Sequence, residues 1–320
     1  MTSSTAYQPD VVAPAAPATA DAVAPTRAGQ KAIMLAVTIV PFLGVLAAIV
    51  LLWNSQVGPF DVALLAVAYV LCSLGITVGF HRMLTHRAFV AHPALRATLL
   101  AFGSMAVQGR AIDWAIDHRA HHAHSDREGD PHSPHAGFGG GIGGQARGLL
   151  HAHVGWMFHH ERLTDRRRWA KDLLDDPIIR FVDRTFVPWA VLGFLIPAAA
   201  GWLYAGWHGA ITGLLWGGLV RVFIGHHVTW SVNSICHVFG RRPFAADDRS
   251  TNNWLLALPS LGESWHHNHH VFPSSAYHGL GSQIDLSGAC ITAFERLGLA
   301  TDVRRVGPEQ QARKRRPPSP

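Results

Sequence analysis

Two long stretches of this chain carry almost no charge, and no other feature restricts its fold as much. From Ala32 to Phe80 there is no Lys or Arg, and Asp61 is the sole acid; from Thr185 to Val220 there is no charged residue at all. A helix needs roughly 20 consecutive apolar residues to cross a hydrocarbon core of about 30 Å, and buried helices of water-soluble domains seldom run so long without a charge. "NSQVGPFD" interrupts the first stretch and "YAGWHG" the second. The pattern predicts four spans, at about residues 33–53, 60–80, 187–204 and 210–232. The expected fold class is an all-α integral membrane protein whose four transmembrane helices carry a helical cap on one side.

The basic residues set the expected orientation. Neither short hairpin loop contains Lys or Arg, whereas the N-terminal flank (Arg27, Lys31), the middle segment and the C-terminal segment hold nearly all of them. By the positive-inside bias, both termini and the middle segment face the cytoplasm. The net charge of +6 then describes a basic cytoplasmic face suited to anionic headgroups or phosphates. No recognition motif accompanies the charge, so nucleic acid is not an expected partner. Residues 1–30, rich in Ala, Pro and Thr, read as a disordered segment without a signal-peptide pattern. Residues 31–303 read as one membrane domain, and 304–320 as a basic disordered tail. Cys72, Cys236 and Cys290 have no CxxC spacing and make no disulfide framework. "GFGGGIGG" (137–144) fits no phosphate-binding loop and reads as a flexible segment.

Of 22 histidines, most lie in the two cytoplasmic segments or at the span ends that face them. "GFHRMLTHRAF" carries His81 and His86, and "VNSICHVFG" carries His237. "DHRAHHAHSD" and "ESWHHNHHVF" each contain H-x-x-H-H: His118, His121 and His122, then His266, His269 and His270. Positions i, i+3 and i+4 share one helix face, so each triplet forms a stripe that can be divided between two adjacent ions. His81 and His86 lie roughly 140° apart around a regular α-helix. Either they serve different ions or the helix ends between them. Neutral imidazole suits Zn, Cu, Fe and Ni, and the residues alone do not choose among these. Asp117, Asp126, Asp130 and Glu263 lie close enough to hold imidazole N–H groups and orient the ligands.

These stretches resemble the membrane-bound fatty acid desaturases, specifically the stearoyl-CoA (acyl Δ9) desaturase-like branch. The resemblance rests on "GFHRMLTHRAF", "DWAIDHRAHHAHSDREGDPH", "HVGWMF", "NSICHVFGRRPF" and "GESWHHNHHVFP", and covers roughly residues 31–300. It implies two Fe²⁺ ions, O₂, and a long-chain acyl thioester, acyl-CoA, desaturated at Δ9 to a cis-monounsaturated chain. Carried over by position, the metal ligands are His81, His86, His118, His121, His122, His237, His266, His269 and His270, with Asn233 reaching one iron through water. Gln108, Trp114, Thr229 and Trp230 match positions lining the bend of an acyl tunnel. No cytochrome or flavin motif is fused, so electrons are expected from a separate donor of ferredoxin, reductase or cytochrome b5 type. The Ala-, Arg-, Gly- and Pro-rich composition suggests a bacterial cell membrane.

One position departs from the pattern. Animal acyl-CoA enzymes have Arg two residues before the first His of the second box, where this chain has Ile116. Arg119, Arg166, Arg167, Arg168, Lys171, Arg241 and Arg242 are the alternative phosphate holders. Two rival readings are a di-iron hydroxylase of the same histidine-box superfamily and a histidine-rich metal transporter. Transporters place polar ligands near mid-membrane, whereas these spans carry their histidines toward the cytoplasmic end. Arg221, inside the fourth expected span, belongs to the protein interior or reaches toward the surface.

Overall fold

The computed structural model of the protein describes residues 28–54, 57–159 and 165–316. Most of the expected disordered lead therefore lies outside the described residues, and its last three positions begin the first helix. Helix α1 spans Ala28–Trp53 and α2 spans Pro59–Leu74, continuing without a break as a π-helix over Gly75–Thr85. In α1 the buried positions are Pro41, Gly44 and Ala48, while Phe42, Leu43, Leu46, Ile49 and Val50 are exposed. Small residues inside and large apolar ones outside is the arrangement of a helix whose surroundings are themselves apolar.

Past α2 the chain forms a strand, β1 (Val90–Ala91), and a run of shorter helices. These are α3 (Pro93–Met105), α4 (Ala111–His124), α5 (Gly141–Leu150), α6 (Trp156–His159), α7 (Arg166–Leu174) and α8 (Pro177–Arg184). A π-helical turn, His151–Gly155, links α5 to α6. Helix α3 was not anticipated as a separate element. It packs against α2 so closely that a β-carbon on Gly75 would lie 2.1 Å from the Gly103 nitrogen. Leu99, Leu100, Ile112 and Ile116 of α3 and α4 join Phe80 and Val78 in the main apolar core. The glycine-rich segment is helical from Gly141 onward rather than wholly loop.

Helix α9 (Phe186–Gly213) leads through a π-helical stretch, Leu214–Val220, into α10 (Arg221–Ser234). Three helices are long and apolar enough to cross a membrane: Gly29–Trp53, Pro59–Thr85 and Phe186–His237. The third, 52 residues long, is too long for one crossing and folds back on itself. The reversal falls at Ala205 and Gly206, the latter with φ 59° and ψ −144°, a conformation open to glycine. Beyond it, Gly209 returns against Gly201, and Gly213 against Pro197, with no room for β-carbons. The two arms cover the stretches expected as separate spans at 187–204 and 210–232. The returning arm packs against both earlier spans: Leu219 meets Gly44 of α1, and Gly217 meets Leu64 of α2.

The remainder comprises α11 (His266–Val271), α12 (Leu286–Arg296), β2 (Ala300–Thr301) antiparallel to β1, and α13 (Pro308–Lys314). The expected disordered tail is corrected over its described part. Ala245 N–H donates to the Lys314 carbonyl at 2.8 Å and Arg316 N–H to that of Pro243 at 3.1 Å, so backbone hydrogen bonds hold the end of α13 against residues 243–245. Basic composition signalled a solvated chain, but these backbone bonds order it.

Candidate metal centre and acyl cavity

Four separate parts of the chain bring nine histidines together in two groups. His81, His86, His118, His122 and His269 form one, and His121, His237, His266 and His270 the other. In the first, neighbouring Nε2 atoms lie 2.9–3.1 Å apart across His81–His269, His86–His118, His118–His122 and His122–His269. In the second, they lie 3.0–3.3 Å apart across His237–His266, His266–His270 and His121–His270. Each H-x-x-H-H stripe is split crosswise. His118 and His122 serve one group while His121 serves the other; His266 and His270 join His121, while His269 joins His118.

The π-helix resolves the problem of His81 and His86. In a π-helix the bond runs from i+5 to i, and the His86 N–H donates to the His81 carbonyl at 3.1 Å. The wider turn places residues five apart one above the other, with ring centroids 4.9 Å apart. Both histidines enter the same group, and the helix continues to Thr85 between them. Neither sequence alternative foresaw this, because both assumed α-helical geometry or a break.

The charge distribution suits a cation. Glu263 bonds His81 Nδ1, and Asp130, Asp126 and Asp248 bond the Nδ1 of His121, His237 and His270 at 2.9, 2.8 and 3.0 Å. A carboxylate accepts, so in each of these rings Nδ1 carries the proton and Nε2 presents a lone pair toward the others. Burial first, then the neighbouring imidazoles, pushes His86, His118, His122, His266, His269 and His270 well below the ordinary histidine value. Burial acts the same way on His121, but the Asp130 carboxylate outweighs it and the value rises. Burial also opposes ionisation of Asp126, yet its bond to His237 holds it at about 2. Converging lone pairs with no proton between them repel one another. A first-row divalent ion binding imidazole at ~2.1 Å would place adjacent ligand nitrogens about 3.0 Å apart, which is the separation found. The donor set therefore fits two metal ions.

Asp126, Asp130 and Glu263 were legible as nearby acids, whereas Asp248 was not, since nothing in its spacing ties it to His270. Arg82 was also missed. Wholly buried, it donates to Glu263 at 3.0 Å and to Asp285 at 3.0 Å, fixing the carboxylate that holds His81. A basic residue inside the apolar run "VGFHRM" was its signal. His278 is buried 3.6 Å from Glu263, with no hydrogen-bond partner for either ring nitrogen among the described residues.

Beside the histidines lies a cavity with about 690 Å³ of empty space, partly open to solvent. Tyr69, Ile76 and Thr77 of the second span line one side, and Gly225, Val228, Thr229 and Val232 of α10 the other. His81, His118 and His266 reach one part of its wall, and Trp114 stacks on His118 at 5.1 Å. Asn233, one helical turn before His237, also faces the cavity. Gln108 and Thr229 line it as a pair, the amide donating to the hydroxyl at 2.9 Å. Trp230 is not among the lining residues. It is buried with its ring against His226 and His227, 5.2 and 5.0 Å between centroids.

The expected phosphate holders divide. Arg119 pairs with Asp172, Arg166 with Asp113 and Asp183, and Arg242 is held by the carbonyls of Ser250, Ala246 and Asp248. Arg167, Arg168, Lys171 and Arg241 are exposed. Ile116 is buried in the main apolar core.

Helices long and apolar enough to cross a membrane, joined to a histidine-rich cluster that can hold metal, define a class of helical proteins with a candidate metal centre. The chain belongs to the fatty acid desaturase family, whose profile matches residues 59–283. It is 43% identical over 269 residues to the hex-5-enoyl-[acyl-carrier protein] acetylenase of Moorena producens, covering 83% of this chain and 84% of that one. It is 38% identical to the sn-1 stearoyl-lipid 9-desaturase of Anabaena variabilis, over 74% of this chain and 81% of the relative. With the delta-9 acyl-lipid desaturase 1 of Arabidopsis thaliana it shares 39% identity, over 77% and 76%. The protein is thus an oxidoreductase of fatty acyl metabolism.

Proposed function

We propose that this chain introduces a cis double bond at Δ9 of a long-chain acyl thioester, using O₂, two irons and electrons from a separate donor. The observation that carries the reading is the pair of histidine groups, each with Nε2 lone pairs about 3 Å apart, set against an apolar cavity. His81, His86, His118, His122 and His269 would hold one iron; His121, His237, His266 and His270 would hold the other, with Asn233 completing its surroundings through water. Bound there, the irons would supply the oxidising power, drawn from O₂, that an unactivated methylene pair demands.

The chain's own residues do the rest. The carboxylates of Glu263, Asp126, Asp130 and Asp248 keep four ligand rings in one tautomer and orientation. Ile76, Val228 and Val232 offer an acyl chain an apolar path, and Trp114 connects that path to His118. Burial of His81, His118, His121, His237, His266 and His269 shields most of the ligand nitrogens from bulk water. Four membrane crossings, with termini and histidines on the cytoplasmic side, would let the chain enter the cavity while its polar head stays outside.

Acyl-CoA is the first carrier to test. The burial of Ile116 in the core favours a second reading, in which the acyl chain arrives on membrane lipid. An Ile packed in the core offers a phosphate no charge at this place, and two relatives are named as lipid-acyl desaturases. The deciding experiment is gas chromatography–mass spectrometry of lipids from a host expressing this chain, followed by assay of purified protein on stearoyl-CoA and stearoyl-lipid. An alkene lacking two hydrogens supports desaturation. An alcohol carrying one extra oxygen would instead assign the hydroxylase activity, and metal transport with no product would remove enzyme chemistry.

A further inference from the structure

The wall of the cavity includes a turn held in an unfavourable backbone conformation. Just past α3, Val107 has φ 60° and Gly109 has φ 103°. Glycine adopts such values freely, but a β-branched residue rarely does unless its surroundings impose them. The surroundings here are three side chains of α10. Arg221 Nη1 donates to the Met105 carbonyl at 2.6 Å, and His226 Nε2 donates to the Ala106 carbonyl at 2.9 Å. Thr229 accepts from Gln108 at 2.9 Å and donates to the Gly225 carbonyl at 3.0 Å. Met105, Ala106 and Gln108 are thus tied to one helix, and Val107 between them is forced over.

What this turn presents to the cavity matters. Ala106, Gln108, Thr229 and Arg221 all line it, whereas Val107 does not. Both clasping side chains are almost wholly buried, at 2% exposure for Arg221 and 3% for His226. Arg221 is satisfied by carbonyls, those of Gly193 and Gly217 besides Met105. His226 keeps its other ring nitrogen without a hydrogen-bond partner among the described residues, so its polar function is directed at the backbone of this turn.

We propose that His226, assisted by Arg221, is a positioning residue. It holds the 105–108 turn in its left-handed conformation and thereby sets which methylene pair of the acyl chain lies nearest the histidine groups. The inference rests on the desaturase reading. A misplacement of ~1 Å can cost on the order of 100-fold in rate, so a smaller shift of Gln108 suffices to favour a neighbouring carbon pair.

The test compares His226→Phe, which keeps a ring but loses the donor, with His226→Gln, which restores a donor, and with Val107→Gly/His226→Phe, in which glycine adopts the turn without strain. Double-bond mapping should show the adjacent positional isomer rising about tenfold in His226→Phe, and returning to the wild-type share in the other two. On metal-free protein without substrate, hydrogen exchange at residues 105–109 should rise about fivefold in His226→Phe and recover in His226→Gln. An unmoved isomer ratio, or no recovery in the glycine double variant, overturns the proposal. If His226→Phe does not accumulate, the double variant decides: wild-type products support the proposal, and failure to accumulate assigns His226 general packing and overturns it. Absence of any alkene from the wild-type chain would count against the desaturase reading, whereas normal alkene with an unmoved ratio counts against this inference alone.

Discussion

Single side chains here differ sharply in what their loss should do. His121→Ala removes a member of the smaller histidine group and His269→Ala one of the larger. Each should lower the bound metal and abolish activity while the chain still inserts, as measured by elemental analysis and membrane fractionation. Asp248→Asn keeps the His270 contact but loses its charge, and should weaken metal binding by roughly 10–100-fold, read by competition with a chelator. His267 sits between ligands yet serves the fold: its Nε2 lies 3.2 Å from the Phe244 nitrogen and 3.1 Å from the Phe244 carbonyl oxygen, and its Nδ1 contacts Ser250. Burial, then the nearby Arg242, pushes it down from 6.5 to about 4. A base with a depressed folded value is fully compatible with folding above pH 6.5, and its contribution is lost as pH falls toward 4. His267→Asn should therefore flatten the acid side of the thermal-stability profile between those limits, while melts above pH 7 change little.

Among the elements, the π-helix at Gly75–Thr85 and the close approach of α3 were the hardest to read in advance. The two H-x-x-H-H motifs named six of the nine grouped histidines, because that spacing reports a helix face directly, whereas His81, His86 and His237 were assigned only through the family resemblance. The five-residue spacing of His81 and His86 was equally visible, but hydrogen-bond register cannot be read from side-chain spacing, so the widened turn was not. Helix α3 hid for another reason. The helix is only 13 residues long and is interrupted by Arg96, so it lacks the apolar run of a span, and its packing depends on glycines that look unremarkable in sequence. Gly75→Ala should expose that dependence. With a β-carbon 2.1 Å from the Gly103 backbone, α2 and α3 must separate, which overpacking data put at about 1–3 kcal/mol. A lower thermal midpoint, with reduced metal retention from displacement of His81, is the expected result.

For the whole molecule, charge-free stretches announced the long helices. The order of the C-terminal segment was not announced, because β-bridge pairing at Phe244 and Arg315 is a tertiary contact between residues with no local strand pattern. Orientation is a prediction for labelling. Single cysteines at Ser125 and Ser274 should react only with permeant maleimide in intact cells, and those at Trp53 and Trp207 with the impermeant reagent as well. Labelling of Ser125 from outside would invert the topology.

The crosswise division of the two histidine stripes has a thermodynamic corollary. Helices α4 and α11 each contribute to both groups, so the first ion to bind already fixes the two helices that the second ion needs. Binding of either should raise affinity for the other, and reciprocally by the same factor. Because ligand binding is also folding free energy, chains carrying a single ion should be scarce during titration. Native mass spectrometry of partly loaded protein should show mainly empty and doubly loaded species, with occupancy following a sigmoidal rather than hyperbolic curve.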